Sequence, residues 1–433
     1  MSTVLPSVNE PRMSIRRDFG LLWTGQSLSL LGDQFMTLAL PLLAVTVLGV
    51  SPATAALLPF VLFLPFLPLG LPAGAIVDRL PRRAVMLVCD AAQVVLFGAI
   101  WVFAAADALT FPLLSALVLA SGCAVVFFQV AYTSYLPSLY SDPLDLHRGN
   151  ARLALSESVS QSAGPMLAGP IIQFFGVVGA VAANVVSFVA SVLSLALIRQ
   201  TEPPRHSTAR ERGWLRRDIT EGWRFVVGHQ ILAPLVACST IYVLFLSMIE
   251  TSLVLYCRNV LGLAPQWIGV VVGAAAAGYP IGNLVSGRLT RRIGDARALL
   301  ISATVSVVGI VLMPTFGSIG GAVGAAGLVA GSVVHSIGEG SFSPTSLTLR
   351  QTLSPDKLLG RVASVQRFLT WGAVALGSLL AAGTIAVAGL AGAMWIGAVG
   401  TVLCVPALLH RGIRTEVRYG QTASDDPNRP LPL

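Results

Sequence analysis

The sequence predicts an all-α integral membrane protein, with twelve transmembrane helices arranged as two six-helix halves. Three observations predict it. Charged residues make up only 11% of the 433 and hydrophobic residues 55%, whereas soluble domains carry roughly 25% charged residues. Twelve apolar runs each reach the length of about 20 residues that crosses a bilayer core. The basic residues gather on one side of those runs. Backbone groups in hydrocarbon must pair within their own segment, so the runs read as helices.

The first eighteen residues are polar and carry Arg12, Arg16 and Arg17; they read as a cytoplasmic N-terminal segment, 1–18. The run that follows, 19–48, is longer than the 7–15 residues or so of a secretory signal core and is read as a retained first span. Span 2 (53–77) ends in GAIVDRLPRR, four charges in six residues, and spans 3 and 4 follow at 84–105 and 110–136. DPLDLHRGNAR leads into spans 5 (151–175) and 6 (177–198), divided only at Phe175-Gly176. A central break, 199–230, closes the first half, 19–198. Its second part, GWLRRDITEGWRFVVGHQ, mixes Trp214, Trp223 and Phe225 with charges, the pattern of a helix lying at a membrane surface. The second half, 231–409, holds spans at 231–257, 265–290, 296–316, 318–343, 362–386 and 388–409, and a cytoplasmic tail runs from 410 to 433.

With both termini inside, 27 of the 28 Lys and Arg fall on the cytoplasmic side and only Arg258 falls outside. That is the positive-inside bias, and a miscount of one span would scramble it. The net charge of +8 therefore belongs to membrane topology, and nucleic acid is rejected as a partner. Arginine outnumbers lysine 27 to one (Lys357), which looks like a GC-rich bacterial genome and points to the bacterial inner membrane. The five cysteines lie in or beside apolar runs, without metal-ligand spacing. No phosphate-binding Gly-x-x-x-x-Gly-Lys, His-Glu-x-x-His or Cys-x-x-Cys occurs. Neither enzyme chemistry nor a cofactor or metal is expected.

Two pairs of segments repeat. GAIVDRLPRR is echoed by GNLVSGRLTRR, with Gly74 and Gly282 208 residues apart, and Pro143 and Pro355 mark a second pair 212 residues apart. Two nearly equal offsets argue for a duplicated six-helix unit whose halves meet around a central site. The copies differ at one charge, because Ser286 stands where Asp78 stood.

At these residues the chain resembles the major facilitator superfamily. The resemblance rests on twelve spans, the six-plus-six repeat and the Gly-x-x-x-Asp-Arg-x-x-Arg-Arg loop of Gly74, Asp78, Arg79, Arg82 and Arg83. LGDQF (31–35), GNA (149–151), LRQ (349–351) and GRV (360–362) look like its bacterial efflux branch, which includes macrolide-type drug exporters and the enterobactin exporter. The resemblance implies secondary active export of amphiphilic small molecules, drug-, macrolide- or siderophore-like, by alternating access, driven by the proton gradient and needing no cofactor. The expected partners are such a substrate, protons and membrane lipids, and a monomer is expected. It also implies that Gly74 lets helices pack closely and that Asp78 faces the start of span 11 at Gly360 and Arg361. Arg79, Arg82 and Arg83 would tie down neighbouring helix ends and lipid phosphates. A carboxylate at a helix N-terminus is favourable on physical grounds.

AGPMLAGP (163–170) resembles the Gly-Pro motif of the family's antiporters. Through Gly164, Pro165 and Gly169 it reads either as that motif or as small-residue packing. Two departures stand out: Pro81 sits where many members have Gly, and span 4 lacks the Arg of many proton-coupled members.

Charges within the spans need a reason, since each costs at least about 2.5–3.5 kcal/mol on insertion scales. Asp33 is the deepest, and Gln26, Ser29, Asp33 and Thr37 share one helical face. Asp33 reads as a proton- or cation-binding group, or as a hydrogen-bonded structural Asp. Glu250 reads as an outer-gate or substrate residue, or as an ion-pair partner of Arg258. His335 and Glu339, four apart on span 10, can interact, as a coupling pair or a structural one. Gln161 and Glu157 share a face of span 5 with Gly164. Rival readings of the whole chain are a passive facilitator, an importer, or a non-transporting receptor or assembly factor.

Overall fold

The structure, a computed structural model, describes residues 9–77, 79–140, 143–199, 214–355 and 358–413. Among the described residues it is all helix: α1 (Asn9–Thr46), α2 (Pro52–Ala55), α3 (Leu57–Phe63), α4 (Phe66–Val77), α5 (Arg82–Ala105), α6 (Phe111–Leu139), α7 (Pro143–Leu197), α8 (Trp214–Gly228), α9 (Leu232–Asn259), α10 (Pro265–Ala275), α11 (Gly278–Ile293), α12 (Asp295–Gly317), α13 (Gly321–Leu353), α14 (Leu359–Val402) and α15 (Val405–Leu408). Among the described residues, ten stretches are long and apolar enough to cross a membrane. The protein is a multi-pass membrane protein.

Two of the ten, Arg148–Leu197 and Leu359–Leu408, are 50 residues long; a continuous helix of that length would measure about 75 Å. Each contains one residue out of helical geometry, Gly176 (φ 72°, ψ 173°) and Gly389 (φ 72°, ψ 179°). That positive-φ conformation is one that glycine adopts without steric cost.

The packing of α1 shows that α7 turns back at Gly176. Along α1, Trp23 meets Ser156 and a Cβ on Gly164 would strike Gln34, so the first arm of α7 rises with α1. Gly25 lies against Ser194 and Gly32 against Asn184 and Ser187, so the second arm descends. The second unit repeats the design. Val236 packs with Val362 and Val365, and Gly377 abuts Leu244, while on the return arm Gly400 lies against Phe245 and Gly397 against Ile249. The turns at Gly176 and Gly389 are 213 residues apart, a third pair on the repeat offset.

Span 2 is a series of short helices rather than one. Pro65 interrupts it between α3 and α4, where proline lacks the N–H for the i→i−4 bond. Gly122 of α6 sits against the break, a Cβ there lying 2.1 Å from the Leu62 carbonyl. Other starts follow local rules. Ser51 caps α2, its hydroxyl accepting from the Thr54 N–H at 3.1 Å, and proline opens α2, α6 and α10 where its missing N–H costs nothing.

Two compact units divide the chain, Met1–Val50 with Val61–Arg210, and Ser51–Phe60 with Glu211–Leu433. The division falls inside the central segment, and Ser51–Phe60 clusters with the second unit, where α2 packs on α14. The core of the first unit gathers Phe19, Leu22, Val77, Met86, Tyr135 and Leu195. That of the second gathers Ile231, Leu235, Leu299, Val307 and Leu408.

Candidate functional site

A buried polar cluster lies inside the second unit. α12 and α13 approach until their backbones touch: a Cβ on Gly309 would lie 2.2 Å from the His335 nitrogen, and one on Gly338 2.4 Å from the Ser306 nitrogen. Only residues without a Cβ allow that contact, and it brings Ser306 against His335. The Ser306 hydroxyl lies 2.9 Å from His335 Nδ1 and 2.7 Å from the Tyr242 hydroxyl of α9, which is itself 3.0 Å from Nδ1. On the far side of the ring, Nε2 stands 3.5 Å from Glu339 Oε2, one turn along α13.

His335 is buried and Glu339 half-buried. Glu339 lines a cavity of about 20 Å³ together with Cys238, Tyr242, Ser306, Phe342 and Cys404. One water needs roughly 10–15 Å³ of such space, so this cavity by itself has room for a water and not for a drug-sized molecule. Glu250, on α9, is exposed and lies within electrostatic reach of Glu339 and Tyr242. Among the described residues no group of His, Cys, Asp and Glu is arranged to hold a metal ion.

The ring geometry has a chemical consequence. A neutral imidazole donates from one nitrogen and accepts at the other. If Nε2 carries the proton it points at Glu339, and Nδ1 accepts from a hydroxyl. If Nδ1 carries the proton it donates to the Tyr242 or Ser306 oxygen, and Nε2 accepts from a protonated Glu339. The cluster thus satisfies the ring in either proton position.

The first unit holds a smaller acidic site. Asp90 of α5 is buried, and Ser191 of α7 donates to its Oδ2 at 2.6 Å. Asp33 is exposed on α1, within electrostatic reach of Asp90. The polar face expected around Asp33 divides: Gln26 and Ser29 are buried, while Asp33 and Thr37 are exposed. Gln161 and Glu157 are exposed on α7. Gly164, Pro165 and Gly169 are buried, and a Cβ on Gly164 would lie 2.3 Å from Gln34 Cβ, so at least Gly164 packs α7 on α1.

Asp78 lies outside the described residues. Its neighbours are placed. Arg82 donates to the Ser134 carbonyl near the end of α6, and Arg83 donates to the carbonyls of Leu195 and Ala196, both at 2.8 Å, at the end of α7. The last four carbonyls of a helix, which in α7 include those of Leu195 and Ala196, have no partner within it, and a cation suits that end of the dipole. Arg79 is exposed.

Two expectations need correcting. A Cβ on Gly74 meets nothing within 4 Å among the described residues, so close packing does not call for glycine there. The expected approach of Asp78 to Gly360 and Arg361 lies outside the described residues; Gly360 is exposed, and Arg361 pairs with Glu221 of α8, an acid of the central segment that the loop motif gave no reason to consider. Among the described residues Glu250 and Arg258 form no ion pair; eight helical residues separate side chains by about 12 Å along the axis.

Sequence reasoning missed Ser191 as a partner of Asp90, Ser306 as a partner of His335, and Glu221 as a partner of Arg361. Each acts through a residue far away in sequence, so no local spacing marks it.

The sequence profile of the Major Facilitator Superfamily matches residues 22–326 and 235–432. The chain belongs to the Major Facilitator Superfamily. Among curated proteins it is similar to "Uncharacterized MFS-type transporter YfiS" of Bacillus subtilis (strain 168), 24% identical over 289 residues, covering 66% of this chain and 67% of that protein. Solved structures share the fold. A bacterial homologue of the iron transporter ferroportin, in an inward-facing state, matches with a TM-score of 0.72 at 18% identity, covering 91% of this chain and 98% of that one. The nucleoside transporter NupG matches at 0.71 and 13% identity, over 90% and 98%. A bacterial homolog of the human lysosomal transporter Spinster matches at 0.65 and 14% identity, over 99% and 100%. The protein is thus a membrane transporter of the superfamily's type, a class whose members are generally not enzymes.

Proposed function

We propose that this transporter is a proton antiporter that exports amphiphilic small molecules from the cytoplasm by alternating access. The observation that carries the reading is the Tyr242–Ser306–His335 cluster with Glu339 beside it, set within membrane-spanning helices. An insertion cost of roughly 2.5–3.5 kcal/mol for a charged group is hard to justify for packing alone, where apolar side chains would serve. A histidine that is satisfied in either proton position is suited to passing a proton. Glu339 is the group that loads and releases the proton toward the pocket. Asp33, with Asp90 behind it, is the companion acid of the first unit.

The rest of the reading follows. Counting the two arms of α7 and of α14 separately gives twelve spans in two halves, 19–198 and 231–409, with 199–230 between them. Both termini face the cytoplasm of a bacterial cell, in its inner membrane, and the protein works as a monomer. Export rests on the likeness of LGDQF, GNA, LRQ and GRV to the efflux branch and of AGPMLAGP to the Gly-Pro motif of the family's antiporters.

The test is retention of ethidium and of radiolabelled erythromycin in cells expressing the protein or its E339Q variant at equal membrane levels. Expressing cells should retain less of at least one probe than variant cells, and a protonophore should remove the difference. A difference that survives the protonophore removes proton drive. Counterflow without any gradient, unchanged in E339Q, would establish a passive facilitator instead.

A further inference from the structure

Helix α8 sits against the start of α14. Gly222 is buried there, a Cβ on it lying 3.0–3.2 Å from Arg361 atoms. One turn on, Val226 is buried with Val236, Val362 and Val365, and Phe225 packs beside them. At the border of this face Glu221 pairs with Arg361. At 100° per residue, the opposite arc of α8 runs through Trp223, Val227, Arg224 and Arg217. All four are exposed, Trp223 by 45% and Val227 by 57%.

The tether leaves this arc little choice of position. Only residues 229–231 separate α8 from α9, and three extended residues reach about 10 Å. α9 is itself a spanning helix. The His229 ring ties the junction further, accepting from the Ile231 and Leu232 N–H groups at 3.2 and 3.3 Å. α8 is therefore held close to the surface where α9 enters the membrane. It carries an indole and a valine to enter the interfacial layer and two guanidinium groups beside them. Tryptophan favours that layer, and arginine is drawn to anionic headgroups.

We propose that the Trp223–Val227–Arg224–Arg217 arc of α8 binds anionic lipid headgroups at the membrane surface, and that the Glu221–Arg361 pair transmits this docking to the start of α14. The helix is a two-sided clamp, with one face on α14 and the other on lipid. The inference requires that α9 spans the membrane. It does not depend on the direction or coupling of transport.

Hydrogen–deuterium exchange of the full chain tests it, in vesicles of phosphatidylcholine alone or with phosphatidylglycerol added. Phosphatidylglycerol should slow exchange of amides 217–228 and 359–365 on the order of tenfold, given the attraction of each basic side chain to an anionic surface. R217Q/R224Q should lose this response while keeping wild-type exchange in phosphatidylcholine, which shows that it folds. E221Q should keep the response in 217–228 and lose it in 359–365. The proposal is overturned if phosphatidylglycerol leaves the wild type unchanged, or if R217Q/R224Q responds equally. It is also overturned if inorganic phosphate added to phosphatidylcholine vesicles protects as well as the lipid.

Discussion

At the scale of single residues, hydroxyl groups decide how the buried ionisable groups behave. Tyr242 contacts both His335 and Ser306 through one oxygen, so Tyr242→Phe keeps the ring and removes both bonds. Proton-coupled efflux is expected to fall on the order of tenfold, with a displaced pH profile. Thermal stability should fall by about 1–3 kcal/mol, the net worth of two typical hydrogen bonds. An unchanged pH profile would reduce Tyr242 to packing. Ser191→Ala is a different case, because it strips the donor from the buried Asp90 carboxyl. An unsatisfied buried acceptor costs about 1–3 kcal/mol, so the melting temperature in detergent should drop. Asp90→Asn combined with Ser191→Ala should fall short of the sum of the two changes, since the residues share one bond. Asp33, Asp90, His335 and Glu339 were legible in the sequence because a charge in an apolar run stands out. Their partners were not, because Asp90 meets Ser191 across 101 residues and Tyr242 meets His335 across 93.

At the scale of helices, glycines with the same sequence appearance divide by what surrounds them. Gly309 lies against the α13 backbone, whereas Gly74 of α4 faces open space among the described residues. Gly309→Ala should cost about 1–3 kcal/mol, the usual penalty of overpacking, and should disturb Ser306 and His335 together. Gly74→Ala should leave stability unchanged or raise it by roughly 0.5–1 kcal/mol, the helix preference of Ala over Gly. Thermal unfolding of the two variants in one detergent checks the contrast, and equal losses would defeat it. The motif pointed to Gly74, but open space is a tertiary fact that no local pattern reports. The apolar runs located nearly every long helix and the turn at Gly176. They did not reveal that α1 begins at Asn9, within the segment read as a tail, or that Pro65 breaks span 2. Hydropathy measures lipid compatibility and does not register helix continuation into water.

At the scale of the whole molecule, the repeat and the charge asymmetry were the most legible features, because each sums over hundreds of residues and tolerates local error. The turns at Gly176 and Gly389 now extend the repeat from motifs to architecture. The charge asymmetry supports a firm prediction about topology. Arg258 and Arg291 are both exposed, at the end of α9 and near the end of α11, so one span separates them. The positive-inside reading puts Arg258 outside and Arg291 inside. The native cysteines give little background: Cys89, Cys238, Cys257 and Cys404 are buried, and only Cys123 is partly accessible. On a Cys123→Ser background, Arg258→Cys should react with a membrane-impermeant maleimide in intact cells. Arg291→Cys should react only after permeabilisation or in inverted vesicles. Either outcome reversed would invert the orientation, and with it the direction assigned to transport. Labelling of both from one side would mean that α10 and α11 do not cross, and would remove the twelve-span count on which the six-plus-six halves rest.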